Sequence, residues 1–250
     1  MHGRFCWYEL MADDVDSAAA FYGRLMGWRV APAPGAEKPY LLFSTDDGPV
    51  AGLMERPEEC RRPGPSAAWT GYVAVDEADD ATARAESLGA VVRFPVTPIP
   101  GVGRFSVVSD PQGAALALFQ PADASHGPPP GAVAWHELWA GNAAGVFGFY
   151  HGLFGWTEAE TMDMGEMGAY RLFAIDGVAV GGMFDKPAAV PHPFWLFYFA
   201  VDDIDAAGVQ VQAGGGHVVN GPMEVPGGGW ILHCADPQGA MFALHGMRPA

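Results

Sequence analysis

The spacing of apolar and polar residues predicts a β-α-β-β-β module at the start of the chain. The apolar stretch Arg4–Ala12 predicts a strand. Asp13 or Asp14 then offers an N-cap for a helix that reaches Met26, with Gly27 in the left-handed position after it. Three short strands follow, at Trp28–Ala31, Tyr40–Ser44 and Pro49–Glu55, with Asp46–Gly48 as a hairpin turn.

The same order of elements returns in the next 65 residues. A strand is predicted at Thr70–Val75 and a helix at Glu77–Leu88, closed by Gly89. The strands that follow are predicted near Ala90–Phe94, Gly103–Ser109 and Ala114–Gln120. In the second half, the two corresponding helices are predicted at Ala143–Phe154 and Ile204–Ala213, closed by Gly155 and Gly214.

Two sequence motifs occur twice and indicate a tandem duplication. Phe21-Tyr22-Gly23-Arg24-Leu25-Met26-Gly27-Trp28 returns as Phe149-Tyr150-His151-Gly152-Leu153-Phe154-Gly155-Trp156, and Asp110-Pro111-Gln112-Gly113-Ala114 returns as Asp236-Pro237-Gln238-Gly239-Ala240. A shift of about 126 to 130 positions carries the first half onto the second. We therefore predict one domain at residues 1–120, a linker rich in proline and glycine at residues 121–132, and a second domain at residues 133–250.

Both motifs have a structural explanation. Phe21, Tyr22, Leu25 and Trp28 have helical spacing, which is typical of a core stripe. The sequence from Asp110 to Gly113 suits a type I turn, with Asp first, Pro second and Gly fourth. We assign no catalytic role to any of these residues.

The four modules, with F-Y-x-x-L-x-G-W after the first helix and D-P-x-G before the last strand, resemble the vicinal oxygen chelate superfamily. This group contains glyoxalases, bleomycin resistance proteins and extradiol dioxygenases. The resemblance covers both halves of the chain. It implies an α+β fold of two tandem vicinal-oxygen-chelate domains. Each domain would have two βαβββ modules that form a curved, cup-shaped mixed sheet around a small molecule.

Composition and charge exclude several kinds of partner. The 29 acidic and 13 basic residues give a net charge of -16, which works against binding of nucleic acid and anionic lipid.

Apolar runs have the length of strands, so we expect no membrane span. The first residues lack the pattern of a signal peptide, which favours a cytoplasmic protein. Three widely spaced cysteines, Cys6, Cys60 and Cys234, suit reduced thiols.

The resemblance also implies where a divalent metal would be bound, and those positions hold other residues. The slot on the first strand contains Trp7 in one half and Trp135 in the other. The slot on the strand before the second helix of each half contains Thr70 and Leu196. The slot on the last strand of each half contains Ala117 and Ala243. Near a further slot lie Glu55 and Asp185, and a single carboxylate does not hold a catalytic metal. We therefore expect no metal or other cofactor.

A shift of one residue along the first strand would change this expectation. It would put Tyr8 and His136 in the ligand position, because successive side chains of a strand point to opposite faces. His136, His233 and His245 then form the only set of histidines that could converge on a divalent metal, with Glu137 as a further ligand, and this set exists in the second half only.

If Trp7 and Trp135 face the cups, alternation places Glu9 beside the first and Glu137 and Trp139 beside the second. Two interpretations of the glutamates remain open. They are hydrogen-bonding anchors or general bases, or they pair with an arginine or backbone amides inside the fold. Tyr72 and Tyr198, which lie two residues before the repeated Ala74-Val75-Asp76 and Ala200-Val201-Asp202, also have two interpretations: their hydroxyls reach a ligand, or they lie at the domain interface. The predicted ligand-binding residues are Trp7, Glu9, Tyr72, Trp135, Glu137, Trp139 and Tyr198.

Two functions are consistent with these residues. The first is a protein of undefined reaction that binds a small apolar or aromatic molecule in cups without the usual metal ligands. The second is a lyase or dioxygenase with an atypical metal site in the second half. Single-unit members of the superfamily pair as dimers, and a fused chain can make this pairing internally. We therefore expect a pseudo-twofold monomer, with a homodimer as the alternative. The ligand's identity lies beyond the sequence.

Overall fold

The computed structural model describes residues 1–36, 38–61, 66–123 and 132–249, and its strands form two eight-stranded sheets. The strands of the first sheet are β1 (Phe5–Ala12), β2 (Arg29–Pro32), β3 (Leu41–Thr45), β4 (Gly48–Glu55), β5 (Ala67–Ala74), β6 (Val91–Ile99), β7 (Gly103–Ser109) and β8 (Ala115–Pro121). Those of the second are β9 (Val133–Ala140), β10 (Thr157–Asp163), β11 (Ala169–Ile175), β12 (Val178–Asp185), β13 (Phe194–Asp203), β14 (His217–Glu224), β15 (Trp230–Ala235) and β16 (Met241–Met247).

One α-helix follows the first strand of each module. The helices are α1 (Val15–Met26), α2 (Ala78–Ser87), α3 (Ala143–Phe154) and α4 (Ile204–Ala213), and short 3-10 turns lie at Glu58–Cys60 and Gly165–Met167. The strand orders are β2-β3-β4-β1-β5-β8-β7-β6 and β10-β11-β12-β9-β13-β16-β15-β14. In every module the first strand pairs in parallel with the last, and the other pairs are antiparallel. The predicted β-α-β-β-β order is therefore present four times.

Helix termini follow the predicted capping pattern with one difference. The Asp14 side chain accepts from Ser17 N at 2.9 Å, and Gly27 has a left-handed φ of 66°. Gly155 closes α3 with a φ of 73°. Gly214, predicted to close α4, has an ordinary φ of -81°, and the left-handed glycine is Gly215 with a φ of 85°. The left-handed residue after α4 therefore lies one position later than predicted.

Contacts within the chain define two compact units, and each unit takes one module from each half of the sequence. One unit contains α2 and α3 with β5–β8 and β9–β12, and the other contains α1 and α4 with β1–β4 and β13–β16. The first two or three residues of β1, β5, β9 and β13 belong to the opposite unit. The boundaries predicted from the repeat, at residues 120 and 133, stay a prediction.

Most of the predicted linker, residues 124–131, lies outside the described residues. In the described ranges, none of the helices is long and apolar enough to cross a membrane.

Candidate functional site

The side chains of β1 point alternately toward helix α1 and away from it. Tyr8 lies on the helix side, because its ring is 6.5 Å from Phe199, and Phe199 is 5.5 Å from Trp28 just after the end of α1. Trp7 and Glu9 therefore point to the other face of the sheet. We call the face of each sheet that is turned away from the helices the far face. Trp7 and Glu9 thus share the far face of the first sheet, and Tyr8 lies on the helix side.

On the far face of the first module, three polar side chains form a hydrogen-bonded chain. Trp7 Nε1 donates to the hydroxyl oxygen of Tyr40 at 3.0 Å, and that hydroxyl donates to Glu9 Oε2 at 2.9 Å. An indole N–H is only a donor, so the direction of the two bonds is set: the Tyr40 proton goes to the carboxylate. Burial, assisted by the charge of Glu9, raises the pKa of Tyr40 well above its usual value. The phenol therefore stays protonated and holds Glu9 as an acceptor.

The same arrangement occurs in the second half. Trp135 Nε1 donates to the Tyr170 hydroxyl at 2.8 Å, and that hydroxyl donates to Glu137 Oε1 at 2.8 Å. Trp139 Nε1 adds a bond to Glu137 Oε2 at 2.7 Å. Burial and the neighbouring carboxylate raise the pKa of Tyr170 as well. Both oxygens of Glu137 accept hydrogen bonds, which suits the ionised carboxylate.

A glycine makes room for the tyrosine in each half. Gly52 lies opposite Glu9 in the β1–β4 register, and an added Cβ there would be 1.8 Å from the Tyr40 hydroxyl oxygen. Gly182 lies opposite Glu137, and its added Cβ would be 2.2 Å from Cζ of Tyr170. Since a real Cβ does not approach another heavy atom so closely, both tyrosine rings depend on the missing side chain.

Tyr40 and Tyr170 were missed in the sequence, although a signal was present. Tyr40-Leu41-Leu42-Phe43 repeats as Tyr170-Arg171-Leu172-Phe173 at a shift of 130, inside the range of the other repeats. Their hydroxyls join Trp7 to Glu9 and Trp135 to Glu137. The second interpretation names an arginine or backbone amides as partners of the glutamates, whereas the structure adds a phenol in both halves and an indole in the second.

His136 lies in the core on the α3 side of its sheet. Its ring stacks on Phe5 with centroids 3.9 Å apart, and its Nδ1 lies 2.8 Å from the carbonyl oxygen of Val180. Burial lowers the pKa of His136 to about 4. Because His136 and Glu137 are adjacent in β9, their side chains point to opposite faces. They therefore do not converge on one metal.

The described residues do not fit the divalent metal that the resemblance implies. Within them, no group of three His, Cys, Asp or Glu side chains is placed to hold a metal ion. The proposed set of His136, Glu137 and His233 is therefore not assembled. The usual ligand positions hold the indoles of Trp7 and Trp135, the alkyl side chains of Leu196, Ala117 and Ala243, and the weakly coordinating hydroxyl of Thr70. We derive no step through a metal.

Tyr72 and Tyr198 have different neighbours. The Tyr72 ring is 5.9 Å from Phe105 and 6.3 Å from Phe119. The Tyr198 hydroxyl is hydrogen-bonded to His233 Nε2 at 2.8 Å. Both tyrosines are buried. The two repeated tyrosines thus have an aromatic environment in one half and a polar one in the other.

A surface cavity of about 290 Å³ is present in the first module, on the helix side of its sheet. Its lining residues are Val15, Asp16, Pro39, Leu41, Leu53 and Glu55. Leu53 and Leu41 are opposite each other in the β3–β4 register, one position from Gly52. This cavity therefore opens on the face opposite Glu9 and is separate from the predicted site.

Relatives with similar sequences cover almost the whole chain. The chain is 31% identical over 249 residues to "Putative glyoxylase CFP32" of Mycobacterium tuberculosis, with 98% of this chain and 94% of the relative covered. It is 33% identical over 261 residues to "Anthracycline biosynthesis protein DnrV" of Streptomyces peucetius, with 98% and 94% covered. These likenesses extend through both halves.

A solved structure with the same fold is the Mn(II)-bound glyoxalase from Novosphingobium aromaticivorans. The TM-score is 0.68 at 15% identity, and the match covers 99% of this chain and 83% of that one. At this identity the likeness shows the fold alone, and it confirms the predicted α+β class of tandem vicinal-oxygen-chelate domains. The model of the Glyoxalase/Bleomycin resistance protein/Dioxygenase superfamily matches twice, at residues 4–118 and 132–244. Each match spans one copy of the repeat, and the chain therefore belongs to this superfamily.

Proposed function

We propose that this protein binds a small planar, largely apolar molecule on the far faces of its sheets, with Glu9 and Glu137 as hydrogen-bond anchors. The observation that carries the proposal is the chain of Trp, Tyr and Glu side chains, which is present in both halves. In each half an indole and a phenol set the orientation of one carboxylate. A carboxylate held in this way accepts a hydrogen bond from a hydroxyl or ammonium group of a ligand.

The energetics of burial support a binding role. Glu9 and Glu137 are 8% and 6% exposed. Burying a carboxylate costs free energy, and hydrogen bonds to the carboxylate offset part of that cost. A second glycine and a second tyrosine accompany the second glutamate, so the costly arrangement occurs as a whole in both copies. Aromatic side chains beside the carboxylate supply flat apolar surface, which suits a planar ring system.

The relatives are consistent with a planar ligand. DnrV is named as an anthracycline biosynthesis protein, and anthracyclines are fused-ring aromatic molecules with hydroxyl groups. By analogy, we propose a hydroxylated polycyclic molecule as the ligand class. The proposal includes binding without the usual divalent metal, and it assigns no reaction to the chain.

A titration with the anthracycline daunorubicin tests the proposal. We expect saturable binding by calorimetry, and about tenfold weaker binding for Glu9→Gln or Glu137→Gln, since one hydrogen bond to a charged group is worth about 1.5–3 kcal/mol. Tyr40→Phe should weaken binding in the same direction. Glu86→Gln is a matched control, because Glu86 is exposed on helix α2, on the helix side of its sheet, and the substitution makes the same change of charge.

Two results would overturn the proposal. One is the absence of saturable binding across a panel of planar aromatic compounds. The other is unchanged affinity in the double variant Glu9→Gln/Glu137→Gln when its unfolding midpoint matches that of the control. Elemental analysis of protein purified without chelators tests the metal-independent part, and about one divalent ion per chain would contradict it.

The proposed cellular and oligomeric state can be tested separately. We propose a cytoplasmic, pseudo-twofold monomer. Light scattering coupled to size exclusion should give a mass near the 26.4 kDa of one chain. A mass of twice that value would favour the homodimer.

A further inference from the structure

The last modules of the two halves have the same register and different side chains on their far faces. Val107 pairs with Ala117 in the first half, and His233 pairs with Ala243 in the second. A shift of 126 positions relates both residues of each pair, so the positions are structurally equivalent. By the same shift, Phe94, Val107 and Phe119 of the first half correspond to Asn220, His233 and His245 of the second.

Contacts with the helices fix which face these residues occupy. In the first half, Ser106 Oγ is hydrogen-bonded to Thr82 Oγ1 of α2 at 2.7 Å, so Val107 points to the far face. In the second half, a Cβ added at Gly208 of α4 would lie 3.1 Å from Leu232 Cδ1. Leu232 therefore faces the helix, and His233 points to the far face.

In the first half, this far face is aromatic. Phe94 and Phe105 stack with centroids 5.5 Å apart and an interplanar angle of 20°. Phe105 and Phe119 each contact the ring of Tyr72. The surface thus offers ring faces and edges.

In the second half, the equivalent face is polar. Tyr198 and His233 are 2% and 7% exposed, and a hydrogen bond of 2.8 Å joins them. Burial lowers the pKa of His233 to about 4, so the pair is uncharged at neutral pH. His245 lies two residues beyond Ala243 and on the same face. A neutral phenol and imidazole can both donate and accept hydrogen bonds, which suits an uncharged hydroxyl or carbonyl group.

The duplication shows that the fold does not require these polar groups. The first half forms the same strands in the same register with Val107 where the second half has His233. Burying an imidazole where a valine suffices costs free energy unless it serves another purpose. The polar substitutions also cluster on one face, at positions that are neighbours across β14, β15 and β16.

We infer that the far face of β13–β16 is a polar subsite, in which Tyr198 and His233 bind a hydroxyl or carbonyl group of the ligand, whereas the far face of β5–β8 binds apolar ring surface. The inference rests on the proposed function, because it assumes a planar aromatic ligand. It adds that the two halves have different ligand preferences and that His233 determines the difference.

The test compares two probes that differ in one hydrogen-bond donor, 2-hydroxyanthraquinone and 2-methoxyanthraquinone. We expect the wild-type chain to prefer the hydroxylated probe. His233→Val, which introduces the residue of the first half, should weaken binding of that probe about tenfold and change binding of the methoxy probe by less than about twofold. Tyr198→Phe removes only the hydroxyl and should have the same selective effect. Val209→Ile, at an exposed position of helix α4 on the helix side of the sheet, should leave the preference unchanged.

A spectroscopic measurement separates a binding role from a structural one. The imidazole ¹⁵N signals of His233 should shift when 2-hydroxyanthraquinone is added and stay in place with the methoxy probe. Equal losses for both probes in His233→Val, or unchanged His233 signals, would overturn the inference while leaving the proposed function intact. Binding of neither probe by the wild-type chain would count against the proposed function and, with it, this inference.

Discussion

The Tyr22 hydroxyl donates to Asp236 Oδ2 at 3.1 Å, which joins the F-Y motif of the first half to the D-P-Q-G motif of the second. The reciprocal bond runs from the Tyr150 hydroxyl to Asp110 Oδ2 at 2.8 Å. In each unit a tryptophan also donates to the tyrosine: Trp69 to Tyr22 at 3.0 Å and Trp195 to Tyr150 at 3.1 Å. The two motifs that reveal the duplication are therefore partners across it.

The glutamine of the D-P-Q-G motif makes a second contact with the opposite half. Gln238 Oε1 accepts from Asp14 N, and its Nε2 donates to Asp14 O, both at 2.8 Å. Gln112 makes the same two bonds, also at 2.8 Å, with the backbone of Asn142. Asp14 and Asn142 are the N-caps of α1 and α3. Each D-P-Q-G turn is thus hydrogen-bonded both to the middle and to the N-terminus of a helix from the other half of the sequence.

Tyr22→Phe is expected to lower the free energy of unfolding by about 2 kcal/mol, because it leaves a buried carboxylate and a buried indole N–H without this partner. Urea unfolding followed by tryptophan fluorescence measures the change. Tyr150→Phe should have a similar cost, and Asp236→Asn combined with Tyr22→Phe should cost less than the sum of the two single variants. Strict additivity would contradict the proposed coupling.

Gly52→Ala is expected to displace Tyr40 and break its bond to Glu9, because the new Cβ would lie 1.8 Å from the phenolic oxygen. Overpacking of this kind costs about 1–3 kcal/mol of stability. In a Tyr40→Ala background, Gly52→Ala should cost much less than it does in the wild-type chain, since the smaller side chain removes the clash. An unchanged unfolding midpoint in Gly52→Ala alone would contradict the described position of Tyr40.

Gly148→Ala is expected to stabilise the chain by about 1 kcal/mol. Gly148 is exposed in the interior of α3, and an added Cβ meets no atom within 4 Å. The gain comes from restricting the unfolded chain and from better helix propensity. Urea unfolding checks it, and a destabilised variant would show that this part of α3 is packed against something else.

One thiol per chain is expected to react rapidly with an aromatic disulfide reagent in the native state. Burial raises the pKa of both Cys6 and Cys234 to about 12, whereas Cys60 is exposed. The absorbance of released thiolate should correspond to one thiol in native protein and three after denaturation. Cys60→Ser should abolish the fast reaction, and persistent reactivity would show that a buried cysteine is accessible.

Features that repeat locally were predictable from the sequence, and contacts between different motifs were not. The four modules, an N-cap at Asp13 or Asp14 and a shared face for Trp7 and Glu9 follow from spacing within single elements. Tyr40 was missed because its bond to Glu9 joins a strand to the segment before another strand. The Tyr22–Asp236 bond spans 214 residues and links two different motifs. Aligning each motif with its own repeat therefore did not indicate it.

Stability is expected to fall as the pH drops from about 6.5 to 4, because burial lowers the pKa of His136 and of His233 from 6.5 to about 4. In this range each histidine is protonated in the unfolded chain and neutral in the folded chain. The free energy of unfolding therefore falls by up to about 3 kcal/mol for each histidine. Below pH 4 the effect levels off.

The buried carboxyl of Asp236, whose pKa is raised, acts in the opposite direction, so the test compares a histidine variant with the wild-type chain. In His136→Asn, an amide replaces the Nδ1 donor without titrating, and the pH dependence of the unfolding midpoint should be shallower than in wild type. Parallel curves would show that His136 titrates normally in the folded protein.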